Sequence, residues 1–384
     1  MPKYRFDEIA INSTEKKKPV EADKDTYIGL EHLDSGCLEV TRWGAEVAPV
    51  GDKLVMHKGD VLFGRRRAYQ KKVSIAPFDG IFSAHGMVLR PIESVITKEF
   101  FPFFISSDYF LDAAIKISVG SLSPTINWRD LAKLEFQIPS LDEQASLSSV
   151  LWAMNRLKMA YTDLLQQADA LVQSQFVEMF GDRRTNPKHL PIIKIGQFAK
   201  VKGGKRLPKG ETYADSQTDH PYVRVVDMID HTVNTTDLVY LTQETQEKIA
   251  RYTINTEDVY ISIAGTIGLV GTIPVSINGA NLTENAAKIV LNEGAPVERD
   301  YLVWYLALPD GVEQIKNKTM HTTQPKLALC RIEEIQILLP EIEEQRWFTG
   351  FVSEIDKSKY YCQHQTIFRN VAQQVTTLNR SMIH

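Results

Sequence analysis

Along the 384 residues, short hydrophobic runs give way to long helical stripes, and the change happens twice. The first half carries "TYIGL", "DVLFG" and "MVLRP"; the second carries "YVRVV", "DVYISIAG" and "AAKIVL". β-Branched and aromatic residues cluster or alternate in these runs, and Gly, Pro, Asp and Asn bound them, which predicts short strands. "KEFFPFFISSDYFLDAAIKI" and "RDYLVWYLALPDGVEQIKN" then place apolar residues three and four apart, which predicts helix. Each half next passes a small-residue turn and closes on a strand-like "LEFQIP" or "IQILLP". The expected unit is therefore α+β, and there are two of them.

Beyond each closing proline the pattern changes in kind. From Asp142 to Phe180 no Pro or Gly interrupts the chain. Leu147, Val150, Met154, Leu157, Tyr161, Leu164, Ala168 and Leu171 alternate steps of three and four, a heptad seam sustained over about four heptads. At about 1.5 Å per residue such a helix is roughly 58 Å long. Gly181 and Pro187 supply its stop signals. After the second proline, Phe348, Phe351, Val352 and Ile355 open a stripe that "DKSKYYCQHQ" dilutes. Phe368, Val371, Val375 and Leu378 resume it. The expected geometry is two long helices packed antiparallel.

The two halves share a frame. "SPTINWRDLAKLEFQIPSLDEQ" (123–144) returns as "QPKLALCRIEEIQILLPEIEEQ" (324–345) without a gap, 201 positions later. "YIGLEHL" answers to "YVRVVDM" 195 positions on, and "GDVLFGRRRAYQKKV" to "EDVYISIAGTIGLVG" 198 positions on, with Asp60 matching Asp258. A slowly growing offset in chain order identifies an internal duplication with small loop insertions. The expected division is a globular domain at 1–141, a helix at 142–180, a linker at 181–187, a second globular domain at 188–340 and a second helix at 341–384. The fold class is then α+β: two similar globular domains separated by two long antiparallel coiled-coil helices, with a pseudo-two-fold internal repeat.

Composition narrows the function. "MPKYRFDEIA" lacks the apolar core of a signal peptide, and no apolar run reaches membrane-spanning length, so a cytoplasmic protein is expected. Cys37, Cys330 and Cys362 form no CxxC pair, which argues against a disulfide framework or a zinc site. The net charge of −4 conceals three windows without acids, between Asp60 and Asp79, Asp182 and Glu211, and Glu313 and Glu333. Such windows suit phosphate neutralisation; their bland alternative is a solvated loop. "KVKGGKRLPKG" lacks the spacing of a Walker loop. No GxGxxG after a strand, HExxH or GxSxG occurs. His85 and His321 read as solvated or structural. No catalytic site is expected.

Two α+β units, each closed by "P-x-x-(D/E)-E-Q" and a long helix, resemble the specificity subunit of type I restriction–modification enzymes. The residues that carry the resemblance are "YIGLEHL", "GDVLFG", "GSLSPTINWRDLAKLEFQIPSLDEQ", "FGDRRTNP", "YVRVVDM" and "HTTQPKLALCRIEEIQILLPEIEEQ", together with the helices. It spans essentially the whole chain. The resemblance implies that each globular unit is a target recognition domain reading one half of a split, asymmetric site on double-stranded DNA. It implies that the helices set the gap and dock methyltransferase subunits, and that restriction/translocase subunits join them. S-adenosylmethionine, ATP and Mg would belong to those partners, with no cofactor, metal or membrane for this chain. Candidate DNA contacts are Arg65, Arg66, Arg67, Tyr69, Lys71, Lys72, Ser121 and Ser123 in the first unit. In the second they are Lys202, Lys205, Arg206, Thr266, His321, Thr322, Thr323, Gln324 and Lys326. Three rival readings are a specificity chain of another modification or phage-defence system, a coiled-coil scaffold that binds no DNA, and a nuclease or methyltransferase whose motifs go unrecognised.

Overall fold

A computed structural model describes residues 1–320 and 324–364, with side chains through Lys359. The chain divides into two compact units, the first containing Met1–Asp163 and the second Leu164–Cys362.

In the first unit β1 (Lys3–Arg5) precedes β2 (Ala10–Ser13), β3 (Val61–Phe63), β4 (Val73–Ile75) and β5 (Met87–Pro91). The last four form an antiparallel sheet in the order β2-β5-β3-β4, with Val61 opposite Leu89 and Phe63 opposite Met87. Helices α1 (Phe101–Ser106) and α2 (Asp108–Lys116) come next. Then β6 (Glu135–Gln137) returns to pair antiparallel with β1. The aromatic-rich helices supply the core. Phe110 packs 5.0 Å from Phe6 and 5.5 Å from Phe136, and Phe104 lies 5.3 Å from Phe136. A smaller sheet is built from Lys16–Lys17, Lys53–Met56, Gly80–Phe82 and Tyr27–Ile28, whose last pair runs parallel.

Helix α3 (Leu141–Phe180) runs unbroken for 40 residues. Gly181 then turns the chain at φ +78°, its N–H donating to the Val177 carbonyl at 2.8 Å. A Cβ there would meet Pro187 at 2.7 Å, so both the conformation and the space demand glycine.

The second unit rebuilds the first. Strand β7 (Ile192–Lys194) pairs with β12 (Gln336–Leu338) as β1 does with β6. Strands β8 (Ala199–Gly203), β9 (Val259–Ser262), β10 (Val270–Gly271) and β11 (Ala286–Leu291) form the antiparallel order β8-β11-β9-β10, with Val259 opposite Ile289. Helices α4 (Arg299–Ala307) and α5 (Pro309–Lys318) lie between β11 and β12, and α6 (Ile342–His364) comes after β12.

Two expectations are revised. Each predicted helical segment is a pair of helices, broken at Ser107 and at Leu308, 201 positions apart. Ser107 caps α2 by accepting from the Phe110 N–H. Pro309 opens α5, where its missing donor costs nothing. The heptad seam is also only half covered, with Leu147, Met154, Tyr161 and Ala168 partly buried and the other four exposed. Val150, Leu157, Leu164 and Leu171 are 49, 38, 50 and 51% exposed. The buried line runs through Gln144, Ser148 and Leu151 in the first unit and Val172, Phe176 and Phe180 in the second. In the second unit α3 and α6 are antiparallel: Phe176 and Phe180 pack on Phe348, while Asp169, earlier in α3, pairs with Lys359, later in α6. The stripe residues Phe368, Val371, Val375 and Leu378 lie outside the described residues.

Candidate nucleic-acid interface

Three loops converge in the first unit: 64–67 after β3, the turn 83–86 before β5, and 119–126 after α2. Main-chain bonds join them. Arg66 N–H donates to the His85 carbonyl (3.3 Å), Ile126 N–H to that of Arg65 (2.9 Å) and Arg67 N–H to that of Pro124 (2.8 Å). Val119 and Thr125 exchange a pair of bonds at 3.0 and 2.9 Å, closing the third loop as a small hairpin. The second unit repeats the arrangement. Ala264 N–H donates to the Asn285 carbonyl (3.2 Å), Leu327 N–H to that of Ile263 (3.0 Å) and Met320 N–H to that of Lys326 (3.1 Å). Even the turn's anchor matches, with Ser83 N–H on the Ile28 carbonyl and Thr283 N–H on that of Val223. The duplication read from residue spacing is thus a duplication of a three-loop surface.

The side chains on this frame differ between units. In the first, Arg66 is exposed and its guanidinium is braced twice: Nε donates to Ser123 Oγ at 3.0 Å, and Nη1 lies 3.3 Å from His85 Nε2. Burial, then the positive fields of Arg66, Arg65 and Lys53, hold the His85 imidazole below its usual range, so it is neutral and accepts from Arg66. Arg65 Nη2 reaches the Ala84 carbonyl at 3.4 Å, while its buried Nε has no partner among the described residues. Arg67 adopts a left-handed φ of 55° and is exposed, as are Tyr69 and Ser121.

Some candidates already have partners. Lys71 sits between Asp108 (2.6 Å) and Asp112 (2.9 Å) of α2, and Asp108 chiefly raises its pKa. Lys72 donates to the Leu30 carbonyl at 2.7 Å. The window from Asp60 to Asp79 is free of acids along the chain but not in space. The same holds for Arg183, which pairs with Asp310 at 2.9 Å, and for Lys318, which pairs with Glu334 at 3.4 Å. Arg65, Arg66 and Arg67 have no carboxylate partner among the described residues.

In the second unit Lys202, on β8, is exposed and opposite Lys288. Lys205 is exposed, with its Nζ 5.7 Å from the Tyr252 ring. Arg206 is exposed but 3.2 Å from Glu284. Thr266, Gln324 and Lys326 are exposed on the loops of the frame. His321, Thr322 and Thr323 lie outside the described residues. The sequence did not single out Asn285, and it read His85 as solvated or structural. The signal that finds them is their shared place one turn before β5 and β11, with the same buried-to-exposed pattern on either side. Among the described residues no group of three or more His, Cys, Asp or Glu could hold a metal ion, and no helix is long and apolar enough to cross a membrane.

A repeated α+β unit, each copy bearing the same loop frame and leading into a long helix, defines a protein with two structurally related modules. The chain belongs to the type I restriction modification DNA specificity domain family, whose model matches residues 11–163 and again 187–365. The EcoDI specificity subunit of the type I restriction enzyme of Escherichia coli is 28% identical over 142 residues. That match spans 36% of this chain and 31% of that relative's length. Two solved structures share the fold. One comes from work on complex assembly and conformational transition of the type I R-M system, with 18% identity, TM-score 0.51, and coverage of 99% of this chain and 96% of that one. The other is a type I restriction-modification S subunit from M. genitalium, with 14% identity, TM-score 0.52, and coverage of 99% and 94%. The α+β class with an internal repeat, expected from the sequence, is the fold these chains have in common.

Proposed function

We propose that this chain is the non-catalytic DNA-recognition subunit of a type I restriction–modification complex. The observation that carries the proposal is the three-loop frame, built twice by the same main-chain bonds and dressed with different side chains. Two frames of one design suit a target in two pieces; unlike side chains suit two unlike half-sites. Arg65, Arg67, Lys202, Lys205 and Lys326 supply charge for phosphates, which positions the duplex without reading it. Arg66 and the polar residues of the loops face the harder task of reading base edges.

The long helices α3 and α6 provide the spacing element and the docking surface for methyltransferase subunits. The methyltransferase subunits bind S-adenosylmethionine, and restriction/translocase subunits bind ATP and Mg, all in the cytoplasm. With a net charge of −4, the chain alone binds DNA weakly, and the methyltransferase subunits complete the positive field. The test is DNA binding by the full chain, with and without co-expressed methyltransferase subunits, across a salt series. Weak, steeply salt-dependent binding alone and tight, sequence-specific binding in the complex are expected. Tight specific binding by the isolated chain at physiological salt overturns the division of labour. No binding in either form overturns the function.

A further inference from the structure

The equivalence of the two frames assigns a counterpart to each side chain, and the differences carry information. Arg66 and Ala264 are equivalent, because each donates its N–H to the carbonyl of the residue at the turn. That residue is His85 in one unit and Asn285 in the other. Both lie at least partly open to solvent, and both come two positions after a buried hydroxyl residue: His85 N–H donates to Ser83 Oγ and Asn285 N–H to Thr283 Oγ1. The same point in space therefore holds a braced arginine in the first unit and a small alanine beside an asparagine in the second.

The geometry points to Arg66 and Asn285 as the corresponding base-reading side chains of the two units, Arg66 for a guanine and Asn285 for an adenine. This rests on the DNA-recognition function proposed above and adds what each unit reads at this point. Arg66 has its fork already oriented. Ser123 holds Nε and His85 holds Nη1, leaving Nη2 without a protein partner among the described residues. A guanidinium held through Nε and one N–H of Nη1 keeps the second Nη1 N–H and both Nη2 N–H groups, with little rotamer entropy left to lose, which suits the O6 and N7 acceptors of guanine. No hydrated phosphate contact needs such bracing, and Arg67 next to it has none. His85 is a positioning residue here, acting on the base through Arg66. In the second unit Ala264 replaces the cation beside Asn285, whose carboxamide makes no hydrogen bond among the described residues. A carboxamide offers one donor and one acceptor side by side, the complement of adenine N7 and N6.

Adenine methylation mapped genome-wide, in a host expressing the full chain with its methyltransferase subunits, tests the assignment. Wild type should give a bipartite motif with a guanine in one half and an adenine in the other at the points concerned. Arg66→Ala should make that one guanine degenerate, with its preference over other bases falling by roughly tenfold or more. Arg66→Lys should do the same, because it keeps the charge and loses the fork. His85→Ala should relax the same guanine less. Asn285→Ala should relax one adenine in the opposite half and leave the first half intact. All three positions reach solvent, so unchanged melting temperatures serve as the folding control. An unaltered motif in the variants, an even loss of methylation at every site, or both variants acting on one half-site overturns the assignment while leaving DNA recognition standing. A wild type that yields no bipartite motif overturns the recognition function itself.

Discussion

Gln144 and Gln345 make the same three hydrogen bonds, 201 residues apart. Gln144 Oε1 accepts from Thr97 N–H at 2.7 Å, and its Nε2 donates to the carbonyls of Val95 and Pro139, both at 2.9 Å. Gln345 Oε1 accepts from Glu298 N–H at 2.8 Å, and its Nε2 donates to Pro296 and Pro340, again at 2.9 Å. Both side chains are fully buried. Each carboxamide ties the first turn of a long helix to the strand exit before it and to the segment that leads into α1 or α4. One acceptor and two donors at that reach are a glutamine's inventory and no other residue's, which accounts for the last letter of "P-x-x-(D/E)-E-Q".

Gln144→Ala and Gln345→Ala each strand one buried N–H and leave two carbonyls without this donor. Each should cost about 3 kcal/mol of the stability of its own unit. Replacement by Glu should cost more, since a carboxylate has nothing to donate to the two carbonyls. Urea unfolding monitored by fluorescence measures this, and nearly equal losses for the two alanine variants are expected because the contacts match.

Lys288 and Asp258 form a buried pair at 2.7 Å between β11 and the residue just before β9, and Asp258 also accepts from the Asn255 N–H at 2.9 Å. Lys288→Met leaves a carboxylate buried without its cation and should destabilise the second unit by about 3–5 kcal/mol. Adding Asp258→Asn should recover a large part of that loss. Arg90 and Asp60, paired at 2.8 and 2.9 Å, should behave alike in the first unit. The check is a double-mutant cycle in chemical denaturation.

Lys71 is neutralised by two carboxylates, so Lys71→Ala should hardly change DNA affinity. Asp108→Asn with Asp112→Asn releases the lysine and should tighten binding, steepening the slope of log K against log salt by about 0.9 if the freed cation meets a phosphate. Arg67→Ala should flatten the slope by a similar amount. Fluorescence anisotropy on the assembled complex over a KCl series reads all three.

His85 should titrate below the ordinary imidazole range, and Arg66→Ala should raise its pKa only in part, because burial is the larger cause. The folded pKa is depressed, so the unfolded chain takes up the proton first as pH falls. The associated stability is present above about pH 6.5 and is lost below it. NMR titration of the imidazole Cε1–H in both variants gives the shift directly.

The duplicated frame was legible in the spacing of Asp60 and Asp258 and of the two closing prolines, because main-chain geometry fixes separations whatever the side chains. The helix seam was legible in period, and Leu147, Met154, Tyr161 and Ala168 of it are partly buried. Leu and Val at 150, 157, 164 and 171 form the more regular apolar row, yet the packed face begins with Gln144 and Ser148. Hydrophobic periodicity does not see polar residues that are buried for their hydrogen bonds. The basic windows concealed their ion pairs for a different reason. Asp108, Asp112 and Asp310 lie far from Lys71 and Arg183 in the chain, and only folding brings them together. His85 and Asn285 were hidden because equivalence of position had to be established before their difference could mean anything.

The ties of the three-loop frame are made by main-chain atoms: the N–H of residues 66 and 264, the carbonyls of 85 and 285, the N–H of 126 and 327. None depends on which side chain is displayed. Under the proposed function, a single codon change at the surface can alter the word a unit accepts while these main-chain ties stay in place, and the two units can change separately.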